Sequence, residues 1–214
     1  METAQKLWDA SQKTANVAKD NGGNKHSDTV IAIDKDGNMT AVTHSINCVT
    51  WGSTGIVVDG VSIGDPASFQ QMLLAQIEPG KRLPGPIEVG ILSKNGVPVL
   101  PFASMSTGLH QQTVQSLLNI ILFDMDIEAS INAPSILFPL ADYTNPFSPK
   151  YTIRVMEGEF PKKVLEESGL TIQEVPASER RYTQGLWIGI HRDPITKKLK
   201  AVSPPYATGR ALAY

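Results

Sequence analysis

Cysteine is nearly absent from this chain of 214 residues: Cys48 stands alone, which excludes an internal disulfide. Neither lysine nor histidine stands beside Cys48 to lower its pKa, so it reads as a small core residue rather than a nucleophile. An excess of charge is missing too. The formal net charge is −2 and the pI about 6.1, so no basic field argues for nucleic acid or an anionic membrane surface. No apolar run reaches the roughly 18 residues of a membrane span. The most apolar segment, Val114 to Phe123, is too short and reads as a buried helix. Residues 2–20 are charged and amphipathic without a hydrophobic centre, so they make no secretory signal. Repeats and low-complexity tracts are absent. His26, His44, His110 and His191 lack metal-ligand spacing, and no metal or cofactor is expected.

What is present suffices for one good-sized globular core, with 41% hydrophobic residues. Residues 2–20 carry helix formers, with Leu7, Trp8, Ala15 and Val17 as a weak stripe, and Asn21-Gly22-Gly23-Asn24 stops that helix. Strand patterns follow at Val30 to Ile33 and Met39 to Val42 around Asp34-Lys35-Asp36-Gly37-Asn38, then at Gly55 to Val58. Pro66 to Gln76 reads as helix. Strands Ile87 to Leu92 and Val97 to Leu100 flank an Asn95-Gly96 turn. Helices are expected over Leu109 to Leu122, Ile127 to Asn132 and Lys162 to Ser168. Strands are expected at Tyr151 to Val155, Thr171 to Val175, Gly185 to His191 and Leu199 to Val202, the last two around a turn at Asp193-Pro194. Hairpins stacked with helices give an α+β sandwich with helices outside two sheets.

The segment with most chemical content is His26-Ser27-Asp28-Thr29 running into the first strand, with Thr43-His44-Ser45-Ile46-Asn47 closing the second. A hydroxyl at the start of a core strand is what an N-terminal nucleophile requires. Cleavage of the preceding peptide bond frees an α-amine, which then serves as base for that residue's own hydroxyl. A plain β-hairpin with a polar entry loop fits the same local pattern.

Order and spacing over residues 26–214 favour the first reading, because the sequence resembles the small, catalytic subunit of γ-glutamyltranspeptidases and their acylase-like relatives. That subunit opens Thr-Thr-His and continues through Asp-Gly-Asn to Thr-x-Thr-x-Asn. Without gaps, these fall on Ser27, on Asp36-Gly37-Asn38, and on Ser45 and Asn47. Trp51-Gly52-Ser53, Gly55-Ile56-Val57-Val58, Lys94-Asn95-Gly96, the loop Ala103 to Gly108, Asn132-Ala133-Pro134 and the tail Gly209 to Tyr214 follow in the family's order. The resemblance implies a four-layer αββα sandwich. It also implies a division into residues 1–26, matching the tail of the large subunit, and residues 27–214, matching the small one.

By the same resemblance, Ser27 is the nucleophile in place of the usual Thr, and Thr29 is a second candidate. The hydroxyl of Ser45 supports the nucleophile, and Asn47 contacts substrate. Ser104-Met105-Ser106-Thr107-Gly108 corresponds to the family's Gly-Ser-Pro-Gly-Gly loop. There Ser106 and Thr107 offer backbone amides to an oxyanion, and Ser104 belongs with the substrate-binding residues. His110 stands beside that loop in the first turn of its helix. Two recognition elements are replaced. Asp59 to Gly64 stands where the family has Asn-Asn-x-Met-Asp-Asp, and Leu83-Pro84-Gly85-Pro86 where it has Ser-Ser-Met-Ser-Pro. A site without partners for an amino-acid head group does not select one.

Two functions follow as expectations. One is a self-processing amide hydrolase or acyltransferase, made as a zymogen, acting on a small amide whose acyl group is not γ-glutamyl. The other is a non-catalytic scaffold or small-molecule binding protein retaining the fold. The expected partner is a large-subunit-like polypeptide or further copies of the chain, without nucleic acid or membrane, in the cytoplasm.

Overall fold

A computed structural model describes residues 27–45, 55–62, 75–82, 85, 87–142, 150–206 and 209–213. The expected helix over residues 2–20, Asn47, Cys48, Trp51 and most of the expected helix from Pro66 lie outside them. Ala75 and Gln76, the described end of that helix, form a turn.

Strands β1 (Ser27–Ile33) and β2 (Met39–Ser45) form a two-stranded antiparallel sheet. Their turn closes because Asp34 acts as a local acceptor. Its Oδ1 receives the amides of Asp36 and Asn38, each at 2.9 Å, and its Oδ2 receives the Asn38 side chain at 2.7 Å. Gly37 takes φ +89°, a conformation glycine adopts without strain. The third expected strand is a short hairpin instead, β3 (Val57–Val58) and β4 (Val61–Ser62) around Asp59-Gly60.

The main sheet holds β5 (Glu88–Lys94), β6 (Val97–Met105), β10 (Leu186–Arg192) and β11 (Leu199–Val202), in the order β11-β10-β6-β5. Asn95 and Gly96 both take positive φ, +53° and +79°, matching the primed turn that suits a twisted hairpin. Helices α1 (Leu109–Leu122) and α2 (Ile127–Asn132) cover one face. There Val99, Leu100, Ile127, Ile131 and Trp187 form the main core, with Phe102 stacked on Trp187 at 6.1 Å between ring centres.

The β1–β2 sheet packs on the other face of the main sheet, β1 over β6 and β10, β2 over β5 and β6. Helix layer, sheet and sheet are therefore three layers of an αββα sandwich among the described residues.

Strands β7 (Ile136–Asp142), β8 (Lys150–Met156) and β9 (Ile172–Val175) make a further, three-stranded sheet around Leu137, Met156 and Val175, and α3 (Lys162–Glu167) connects β8 to β9. Strand β7 was not expected, since Pro139 interrupts its pattern. It is an edge strand with shifted register between Leu137 and Leu140, where a proline is tolerated. Gln115 caps its free edge: the side chain accepts from Ile136 N at 2.7 Å and donates to Ile136 O at 2.8 Å. A 3₁₀ turn (Ala177–Glu179) and α4 (Arg180–Thr183) lead into β10.

Helix α1 packs Leu117 and Ile120 against the main core, but the rest of its pattern departs from the usual amphipathic expectation. Gln112, Thr113 and Ser116 are buried, while Val114, Leu118 and Ile121 are exposed. No helix among the described residues is long and apolar enough to cross a membrane.

Candidate active site

Ser27 opens β1 and Ser45 ends β2, directly opposite in the hairpin register. The Ser27 hydroxyl donates to Ser45 Oγ at 2.8 Å. Alternate residues of a strand share a face. Ser27, Thr29, Thr43 and Ser45 are accordingly the half-buried positions that look toward the main sheet, with Thr29 opposite Thr43. Four hydroxyls thus line the inner face at the open end of the hairpin. Thr43 Oγ1 is buried without a hydrogen-bond partner. Asp28 and His44 lie on the outer face, 3.5 Å apart and mostly exposed, in a pairing of the kind that contributes little to stability.

The other end of the hairpin is fixed by Arg192. Its guanidinium carbon lies 2.8 Å from where a Cβ on Gly37 would stand. Arg192 ends β10, and β1 runs back for six residue steps, about 20 Å at the usual rise. Ser27 and Ser45 are therefore directed toward the end of the main sheet where β10 begins. At that end β6 finishes and the segment Ser106 to Gly108 enters α1.

Ser106 has φ +77°, unusual for a residue with a Cβ, and its carbonyl accepts from Leu109 N at 3.3 Å. Thr107 follows it, and Gly108 then caps the N-terminus of α1, where the helix dipole favours negative charge. Gly108 has no room for a side chain: a Cβ there would lie 2.5 Å from Thr183 O and 2.6 Å from Gly185 N.

The side chain of Ser104 points away from Ser27. It shares a face with its cross-strand neighbour Trp187, beneath α1, and is 1% exposed with Oγ unpartnered. His110 in the first turn of α1 pairs through Nδ1 with Glu88 at the start of β5, both partly exposed. Asn47 lies outside the described residues. Among those residues no group of three metal-ligating side chains occurs.

The residues behind the loop carried no sequence signal. Gln112 and Gln184 are buried and bonded to each other at 2.7 Å, and Arg180 and Gly185 flank Gln184. Tyr206 donates to Gly185 O at 3.2 Å, and burial pushes its phenol well above the ordinary range, keeping it a neutral donor.

A hydroxyl at the start of a core strand, in a sandwich of stacked sheets with helices outside, defines the N-terminal nucleophile hydrolase fold. The sequence matches the γ-glutamyltranspeptidase family over residues 2–214, and the chain belongs to that family. Solved structures agree on the fold. A γ-glutamyltranspeptidase from Pseudomonas nitroreducens complexed with L-DON is 19% identical, with 89% of this chain and 100% of that one covered and a TM-score of 0.59. An acivicin-inhibited γ-glutamyltranspeptidase is also 19% identical, covering 86% and 100%, at 0.59. The Bacillus anthracis transpeptidase CapD is 17% identical, covering 87% and 99%, at 0.58. No curated protein matches the sequence.

Proposed function

We propose that this transpeptidase/hydrolase family member is a self-processing amide hydrolase or acyltransferase that uses Ser27 as its nucleophile. The observation that carries the reading is the 2.8 Å hydrogen bond from Ser27 to Ser45 at the start of β1. Scission of the His26-Ser27 bond would give Ser27 a free α-amine. That amine takes the hydroxyl proton as Oγ attacks the carbonyl of an amide substrate. The amides of Ser106 and Thr107 receive the developing oxyanion at the N-terminus of α1. The C–N bond of the substrate breaks, its amine departs with the proton returned by the α-amine of Ser27, an acyl-Ser27 ester remains, and water or an acceptor amine resolves it. Ser45 holds the Ser27 hydroxyl in one rotamer, and Asn47 and the Ser104 backbone border the substrate. Self-cleavage accords with the acivicin-inhibited relative, whose C-terminus has critical roles in autoprocessing and catalysis.

The acyl group we assign is not γ-glutamyl, because Asp59 to Gly64 and Leu83 to Pro86 supply none of the family's head-group partners. A large-subunit-like polypeptide, or further copies of the chain, would cover the outer face of β1 and β2. The division at residue 27 separates a processed segment from the catalytic domain.

Intact-mass measurement of wild type and Ser27→Ala tests the reading. A fragment beginning at Ser27, present in wild type and absent from the variant, is expected. A permanently intact wild-type chain would favour the second reading, a non-catalytic binding protein. The observation favouring that reading is Ser106, a serine in a left-handed backbone conformation within the loop.

A further inference from the structure

The geometry points to Gln184 as a positioning residue that holds the 106–108 loop at one setting, through Gln112 and the first turn of α1. This inference rests on the loop being the oxyanion-binding element of the proposed reaction.

The orientation of the network is set by a cation. Arg180 Nη1 donates to Gln184 Oε1 at 2.8 Å, while its Nη2 pairs with Glu159. A guanidinium has no acceptor, so Gln184 must turn its oxygen toward Arg180 and its amide nitrogen away. That nitrogen donates to Gln112 Oε1 at 2.7 Å and to Ser135 Oγ at 2.9 Å. Gln112 then has its own nitrogen free to donate to Ser116 Oγ at 3.0 Å. Gln184, Gln112 and Ser116 are all at most 3% exposed. With so little solvent access, flipping either amide leaves buried groups unpaired.

The far end of this chain is the loop. Gln112 N donates to Gly108 O at 3.0 Å, and the Gly108 backbone lies against Thr183, Gln184 and Gly185. The aromatic ring of Tyr206 lies under Arg180, 5.8 Å from its guanidinium carbon, while the Tyr206 hydroxyl holds Gly185 O. Gly108 is thus gripped on its helix side and on its β10 side. Two residues before it, Ser106 keeps a φ of +77°, a setting that carries strain and persists where the surroundings impose it.

Hydrogen exchange of the full chain, read by mass spectrometry on peptides covering residues 104–112, tests the assignment. In Gln184→Ala the loop amides should exchange on the order of tenfold faster, the effect of losing a buried hydrogen bond on local opening. Gln184→Glu is the guard against a variant that fails to fold. It keeps the side chain's size and an acceptor for Arg180 but sets a second acceptor against Gln112 Oε1, so the loop should still loosen, with a lowered midpoint and unfolding that stays cooperative. Ser135→Ala removes the partner that is not on α1 and should leave loop exchange unchanged, whereas a merely structural network would respond to it as well. Release of the Ser27 fragment, followed in the same samples, should slow about tenfold in Gln184→Glu. Wild-type protection of the loop in Gln184→Glu, equal loosening in Ser135→Ala, or faster exchange with unslowed release would each overturn the assignment. If wild type releases no fragment, the Ser27 reading fails, and loop exchange alone still decides for or against Gln184 as its clamp.

Discussion

The carbonyl oxygen of Gly108 lies 2.5 Å from where a Cβ on Gly185 would stand, and the Cβ of Gln112 is 2.7 Å from the same point. Backbone and the root of a helical side chain cannot swing aside as a flexible side-chain tip can. Gly185→Ala must therefore move the start of α1 off β10, at a cost of about 3 kcal/mol for overpacking. Denaturant unfolding would read this as a lower midpoint. A change below roughly 0.5 kcal/mol, the usual range for harmless surface changes, would mean that the contact is soft.

Removing the Ser45 hydroxyl separates support of the nucleophile from the nucleophile itself. Ser45→Ala should slow appearance of the Ser27 fragment about fivefold, as one aligning hydrogen bond of net ~1 kcal/mol is lost. His44→Ala changes a mostly exposed outer-face residue and should leave that rate unchanged. Equal rates in Ser45→Ala and wild type would remove Ser45 from the mechanism.

A γ-glutamyl anilide should be turned over far more slowly than an anilide whose acyl group lacks the α-amino and α-carboxylate groups. Discrimination through missing polar partners reaches roughly 10⁴-fold. Asp59 and Gly60, where the family carries recognition residues, form the β3–β4 turn, with φ of +49° and +81°. Efficient γ-glutamyl turnover would show that other residues supply the head-group contacts.

Acid should weaken the attachment of α2 to β11. A side-chain hydrogen bond from Lys200 at 2.6 Å holds the Asp126 carboxyl below its ordinary value, and Asp126 and Glu128 raise Lys200 in return. A depressed carboxylate pKa gives stability that is present above the unfolded-state value and lost as pH falls through the folded one. The raised lysine gives stability lost only at strongly alkaline pH, as pH climbs through its folded value. Between about pH 4 and pH 2, wild type should therefore lose more stability than Lys200→Met, which lacks the pair. The difference is small, since both groups are substantially exposed. Parallel pH profiles would remove the pair from the balance.

How legible the fold was depended on how local its causes are. Asp36-Gly37-Asn38 and Asn95-Gly96 announce their hairpins because positive φ within a few residues makes the turn. The resemblance assigned Ser27 and Ser45 to one site, and the hairpin register sets them directly opposite each other. The Gln112–Gln184 bond joins residues 72 positions apart. Polar residues in a helix ordinarily read as its solvent face, so their burial appears only once β10 is in place. The same reversal leaves Val114, Leu118 and Ile121 outward, where hydrophobic patterning alone would have buried them. Ser104 shows the limit of motif matching: Ala103 to Met105, expected as the start of a loop, are the end of β6, and which way the Ser104 side chain leaves the sheet depends on strand parity.

The last prediction concerns what covers β1 and β2. Val30 and Val42 are direct cross-strand neighbours on the outer face, 60% and 52% exposed. Among the described residues no element packs on them, and a two-stranded sheet is marginal by itself. Among the described residues their packed support is the main sheet beneath. An exposed apolar pair at the middle of a sheet face invites association with a polypeptide that covers it, or with another copy of the chain. Light scattering after size exclusion should accordingly give a mass above the 23.2 kDa of one chain, or the protein should need a large-subunit-like polypeptide to stay in solution. Val30→Lys places a charge at the centre of that face without touching Ser27 or Ser45, and should shift the population toward the monomer. A cooperatively unfolding wild-type monomer, unchanged in mass by Val30→Lys, would refute the prediction.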